Sequence, residues 1–156
     1  MKVGLFLNAG VCLAVLTLSA SASASASAAT CDSILAALKQ ERHLTQVRQT
    51  EGNRTTEYRD GPNITLSVSC GVGKPNLAIT WDGPEPDSQY YDLVGRAGSL
   101  VSSRSAAGIV KASKQCRSRA LKDDGEIVTI EEDDLALECQ AFVRDGGSTT
   151  ISVFAE

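Results

Sequence analysis

The apolar positions of the chain fall into short alternating runs punctuated by glycine and proline, with two stretches of helical spacing set among them. The clearest run is Asn63 to Cys70, where Ile64, Leu66 and Val68 alternate with Thr65, Ser67 and Ser69. Successive side chains of a strand point to opposite faces, so this strand has one apolar face and one hydroxyl-bearing face. Leu77, Ile79 and Trp81 repeat the pattern after a turn rich in glycine. Leu135 to Arg144 and Thr149 to Phe154 predict two further strands joined at Asp145-Gly146-Gly147, a strong hairpin signal. Glu126 to Ile130 predicts another strand. The Thr-, Gln- and Arg-rich stretch from His43 to Tyr58 predicts two polar strands around Gly52-Asn53, although Leu44 and Val47 do not alternate.

Two helical regions interrupt the strands. Asp32 or Ser33 can cap a helix from Ile34 to about Arg42 that places Ile34, Leu35 and Leu38 on one side. Pro84 and Pro86 make the segment after Trp81 a loop, because a proline lacks the N–H that a helix interior or a central strand needs. After a cap at Asp87 or Ser88, steps of helical period from Tyr90 reach Val94, Ala97, Val101, Ser105, Gly108, Ala112 and Cys116. A face of such small residues predicts a helix lying closely over a sheet. Gly95, Gly98 and Gly108 each cost about 1 kcal/mol relative to Ala in a helix interior, which allows a break near Ser102 to Ser105. One long helix or two in line would give the same packing.

Helix, strands, helix, strands, with strands in consecutive runs, implies an α+β fold in two layers, an antiparallel sheet with helices packed on one face. Residues 30–156 are expected to form it as a single domain. Residues 1–29 read as a cleaved secretory signal peptide: Lys2, the apolar stretch Val3 to Leu18, and the Ser/Ala run to Ala29. The apolar stretch is shorter than the ~20 residues of a membrane-spanning helix, so no membrane attachment is expected after cleavage. Cutting after Ala29 leaves 127 of the 156 residues. The predicted location is exported, periplasmic or extracellular.

Export changes the meaning of the cysteines. Cys12 departs with the leader, leaving Cys31, Cys70, Cys116 and Cys139, an even number in an oxidising compartment. Four cysteines allow three connectivities, of which the pairing of sequence neighbours, Cys31 with Cys70 and Cys116 with Cys139, is favoured. Separations of 39, 46 and 23 residues and the lack of any C-x-x-C argue against a zinc or redox site. No metal or other cofactor is implied.

Loss of Lys2 takes the formal charge from −4 to −5, and aromatic residues make up only 4% of the chain. Nucleic acid is therefore not an expected partner, since it needs summed positive charge and stacking surfaces. The acidic stretch with Asp123, Asp124, Glu126, Glu131, Glu132, Asp133 and Asp134 lacks the D-x-[DN]-x-[DN]-G order of a calcium loop and reads as a solvated turn and strand edge. Arg96, Arg104, Lys111 and Lys114 share one flank if a single helical period runs through them, the best candidate for binding a protein partner. Tyr90, Tyr91 and Trp81 surround the proline loop and suit a pocket or the core. Asn53-Arg54-Thr55 and Asn63-Ile64-Thr65 are glycosylation sequons.

His43 is the one histidine, placed by its surroundings at a helix end, where the dipole favours it. The leading functional expectation is an exported, non-enzymatic binding or inhibitor-like module. The alternatives are a small hydrolase or nuclease using His43 with Glu57 and Arg54 or Arg59, and a structural, envelope-associated protein. No G-x-S-x-G or H-E-x-x-H supports the common serine or zinc hydrolases.

Overall fold

The alternating runs become the seven strands of one antiparallel sheet in the computed structural model, which describes residues 30–155 except 51, 53, 72, 124–126 and 133. The leader, Cys12, the first sequon's Asn53 and the acidic residues Asp124, Glu126 and Asp133 lie outside the described residues. In chain order the elements are α1 (Cys31–Leu38), β1 (Thr45–Gln49), β2 (Thr55–Asp60), β3 (Ile64–Ser69), β4 (Asn76–Asp82), α2 (Ser88–Gly98), α3 (Ala106–Ala120), β5 (Val128–Glu132), β6 (Leu135–Phe142) and β7 (Ser148–Phe154). The fold is the expected α+β.

Strand order is β1-β2-β3-β4-β7-β6-β5, two meanders joined where the last strand of each, β4 and β7, pair. At that seam Leu77 faces Val153, Ile79 faces Ile151 and Trp81 faces Thr149. The alternation puts Leu66, Ile79, Leu137 and Ile151 on the covered face, where they form one core with Ile34 of α1, Leu93 of α2 and Ile109 of α3. The opposite face carries small polar residues. Thr65, Thr80 and Thr150 stand in one row across it, with the Thr80 and Thr150 hydroxyls 3.0 Å apart.

Local structure departs from expectation in two places. The first helix begins before Asp32, because Thr30 is the N-cap and forms a capping box with Ser33. It ends at Leu38, so His43 lies in a turn beyond it and the helix dipole does not account for it. The second difference concerns the region after Asp87. It is neither one helix nor two in line but an antiparallel hairpin, with α2 and α3 side by side and Ser105 capping α3. Two glycines outside the predicted small-residue face serve this contact between helices: a Cβ on Gly95 would lie 2.9 Å from Val110 Cγ2, and one on Gly98 would lie 3.1 Å from Ile109 Cγ2 and 3.5 Å from Val153 Cγ2 of the sheet.

Strand β1 is exposed along its whole length and carries a bulge between Gln46 and Arg48, which explains why Val47 broke the alternation. At the other edge, β5 bears Glu131 and Glu132, and charged edges resist pairing with other chains.

The cysteines pair as favoured. Cys31–Cys70 ties the start of α1 to the end of β3 with Cα atoms 5.8 Å apart, and Cys116–Cys139 ties α3 to β6 at 6.0 Å. These bonds fasten the helix layer to the sheet at both ends and are compatible with an exported protein. Among the described residues no helix is long and apolar enough to cross a membrane. Closing a loop with a separation of 23 residues restricts the unfolded chain by about 3 kcal/mol. Replacing Cys116 and Cys139 together by Ala is expected to lower the unfolding free energy by that amount, measured by urea denaturation against the oxidised wild type.

Candidate functional site

The proline loop and the helical hairpin build a cleft. Asp87 caps α2 by accepting a 2.9 Å hydrogen bond from Tyr90 N, which fixes where the loop stops and the helix starts. The other end of the loop is held against the turn between β6 and β7, where Gly83 N donates to Gly147 O at 3.1 Å. Gly147 has φ +79°, and a Cβ there would lie 2.7 Å from Pro84 N. Only glycine lets these two loops meet.

Beneath the loop lies Arg117 of α3, only 8% exposed. Its Nε donates to Thr149 Oγ1 at 3.0 Å, and its Nη2 donates to Pro84 O at 2.7 Å and Glu85 Oε2 at 3.2 Å. A guanidinium stays charged, and a buried charge must be paired and hydrogen-bonded. Its anionic partner is peripheral, for the Glu85 side chain is 79% exposed. Around Arg117 opens a cleft of about 360 Å³ lined by Glu85, Pro86, Ser88, Tyr91 and Lys114. The ammonium of Lys114 stands 4.9 Å from the centre of the Tyr91 ring, a cation–π contact that holds both side chains at the rim.

Tyr90 and Tyr91 diverge. Tyr90 is fully buried, and its hydroxyl donates to Ile79 O at 2.9 Å and is also 3.3 Å from Thr149 O, one acceptor on each strand of the seam. It packs edge-on to Trp81 and Tyr91, at centroid distances of 6.2 and 5.2 Å. Burial, then the neighbouring Tyr91, pushes its hydroxyl well above the ordinary value of 10.0, while the charge of Arg117 pulls the other way. Burial also raises Tyr91, against Arg117 and with Glu85. The expected aromatic group thus divides into a core pin, Tyr90, and a cleft wall, Tyr91.

A second, smaller cleft of about 200 Å³ brings together His43, Asp60, Gln89, Asp92 and Arg96. Neither Glu57 nor Arg54 or Arg59 lines it. His43 is exposed, and among the described residues no ion pair joins it to either aspartate. Arg96 is committed to Glu41, with two hydrogen bonds of 3.2 Å.

The four expected partner-binding cations do not form a single helical flank, because the chain turns back between them. Arg96 lies on α2, Arg104 on the connection, and Lys111 and Lys114 on α3. Arg104 binds Asp134 at 2.7 Å and Glu132 at 2.5 Å. The hydrogen bond and charge of Asp134 raise the pKa of Arg104, with Glu132 adding to the effect. Part of the acidic stretch therefore serves as its counterion. Among the described residues no group of three or more His, Cys, Asp or Glu is placed to hold a metal ion.

Arg117 is the residue that sequence reasoning missed. It stands beside Cys116, and the helical step Ile109, Ser113, Arg117, Ala120 marks it as part of the buried face, where all four side chains sit. Comparison with known proteins finds no match, whether among family models, curated proteins or solved structures.

Thr149→Val removes the acceptor of Arg117 Nε while keeping the side-chain shape. It is expected to cost about 1–3 kcal/mol in urea unfolding, the range for a buried donor left unsatisfied. Tyr90 gives a pH dependence. Its raised pKa means that the fold retains the neutral phenol, so its contribution is complete below pH 10.0 and falls as pH rises beyond it, where the unfolded chain ionises first. Tyr90→Phe is expected to lose about 1 kcal/mol at neutral pH and to show a shallower alkaline decline in denaturation midpoint than wild type.

Proposed function

We propose that the chain is an exported domain that works by binding a protein partner, using the cleft at Arg117 and no cofactor. The observation that carries this reading is a nine-tenths-buried guanidinium at the floor of an open cleft walled by proline, tyrosine and lysine. Tyrosine and arginine held in place by packing are the residue types that dominate binding energy at protein interfaces. The cleft volume falls within the range of ligand sites. No histidine lines it, so Ser88 has no imidazole base there. The two disulfides and the signal-like leader support an exported location.

Of the basic residues expected to meet the partner, Lys111 and Lys114 keep that role in the proposal. Arg96 and Arg104 are spent on contacts within the fold. The second reading, a hydrolase using His43, draws on the cleft that gathers the imidazole with Asp60 and Asp92. Against it stands the lack, among the described residues, of a hydrogen bond orienting the ring, which general-base catalysis requires in the reacting complex.

One experiment separates the two. Lys111→Glu with Lys114→Glu is expected to reduce capture of the partner from the exported fraction about tenfold, a loss near 1.4 kcal/mol. His43→Ala is expected to leave capture unchanged. Undiminished capture by the lysine variant would contradict the proposed surface, and loss of a hydrolytic activity in folded His43→Ala would support the enzyme.

A further inference from the structure

We infer that the Arg117 cleft recognises a carboxylate of an acidic peptide segment, and that Glu85 occupies the carboxylate position until the ligand displaces it. This rests on the binding reading above and names the chemistry of the same site. The cleft already contains the interaction it would make with a ligand: Glu85 Oε2 accepts from Arg117 Nη2 at 3.2 Å. The rest of the Glu85 side chain is out in solvent, 79% exposed, whereas that of Arg117 is 10% exposed.

The two partners are thus held very differently. Arg117 is immobilised by Thr149 Oγ1 and Pro84 O, bonds to β7 and to the loop backbone. Among the described residues Glu85 pairs with the guanidinium alone, across an ion pair whose exposed member is screened by water and must surrender side-chain freedom to keep it. A positioned cation with an exchangeable carboxylate is a preorganised receptor carrying a tethered competitor. Among the described residues the hydrogen bonds at Arg117 engage Nε and Nη2, and the planar fork of a guanidinium suits a carboxylate.

The remaining walls fit a peptide chain. Lys114 supplies a second positive charge, and the edges of Tyr91 and Pro86, both largely buried, line the cleft beside it. Asp87 lines the cleft too, but its carboxylate caps α2 and stays in place. Its fixed negative charge disfavours a doubly charged phosphate more than a single carboxylate.

The test is calorimetric titration of the oxidised full chain, wild type and Glu85→Ala, with short peptides. One is amidated and carries glutamates, a second replaces them by Gln but keeps a free C-terminal carboxylate, and a third is amidated and uncharged. Inorganic phosphate is the fourth probe. The glutamate peptide is expected to bind wild type, and to bind Glu85→Ala about fivefold more tightly, because removing the competitor raises the fraction of open sites. Lys114→Gln is expected to weaken the same peptide several-fold. Glutamate-dependent binding assigns the carboxylate to a side chain of the partner, and binding that follows the free terminus alone overturns the acidic-segment assignment.

No binding of either carboxylate peptide, an affinity that ignores Glu85, or a preference for phosphate or the uncharged peptide overturns the inference. Glu85→Ala removes neither hydrogen bond from Arg117 to Thr149 and Pro84, so the variant is expected to fold and to test the site. Partner capture in the preceding experiment is read separately. Capture that persists without peptide binding refutes the carboxylate assignment alone, whereas capture that ignores the lysines refutes the surface itself.

Discussion

The pairing of β4 with β7 is the contact on which the rest of the molecule depends. The two strands belong to different meanders and are separated in sequence by both long helices and two further strands. Bringing them together carries a loop-closure entropy that local contacts do not repay. The apolar pairs Leu77–Val153 and Ile79–Ile151 offset it, along with the helical hairpin laid over them. Tyr90 locks that hairpin down by bonding the backbone of Ile79 on one strand while lying close to that of Thr149 on the other. Arg117 adds a second bolt from α3 to Thr149. The candidate cleft lies directly above these anchors, so its geometry is inherited from the most buried part of the fold.

The periodic parts of this design were legible in the residues. Ile64, Leu66 and Val68 announced a half-buried strand, and the same alternation placed Cys139 inward, where Cys116 could reach it. Prolines and an aspartate at Asp87 marked the loop and the cap. The hairpin was not legible, because small residues at helical spacing describe a close approach without saying what approaches. Gly95 meets α3, and Gly98 meets both α3 and Val153 of the sheet. His43 was misplaced for a related reason: polar residues after Leu38 continue a helix as readily as they form a turn.

The cleft itself escaped because its main residue looks like its neighbours. Arg117 is one of a run of basic residues near the end of α3, and beyond its place in the helical step the long-range contacts with Thr149 and Pro84 distinguish it. Conversely, Arg96 and Arg104 looked free in sequence, yet each has a carboxylate supplied from a distant segment, Glu41 or Asp134. Electrostatic roles in this chain are therefore settled by topology. Arg96 and Arg104 bind carboxylates of the fold, and Arg117, hidden in the helix face, borders the cleft.

The central claim is that the seam positions a buried guanidinium as the docking anchor. Its most direct test is the side-chain Nε–Hε resonance of Arg117 in the oxidised full chain as a glutamate-containing peptide is added. The account predicts a saturable shift of that resonance with the Arg96 and Arg104 resonances unmoved. A shift centred on Arg96 or Arg104, or no shift at Arg117 at saturating peptide, would contradict it.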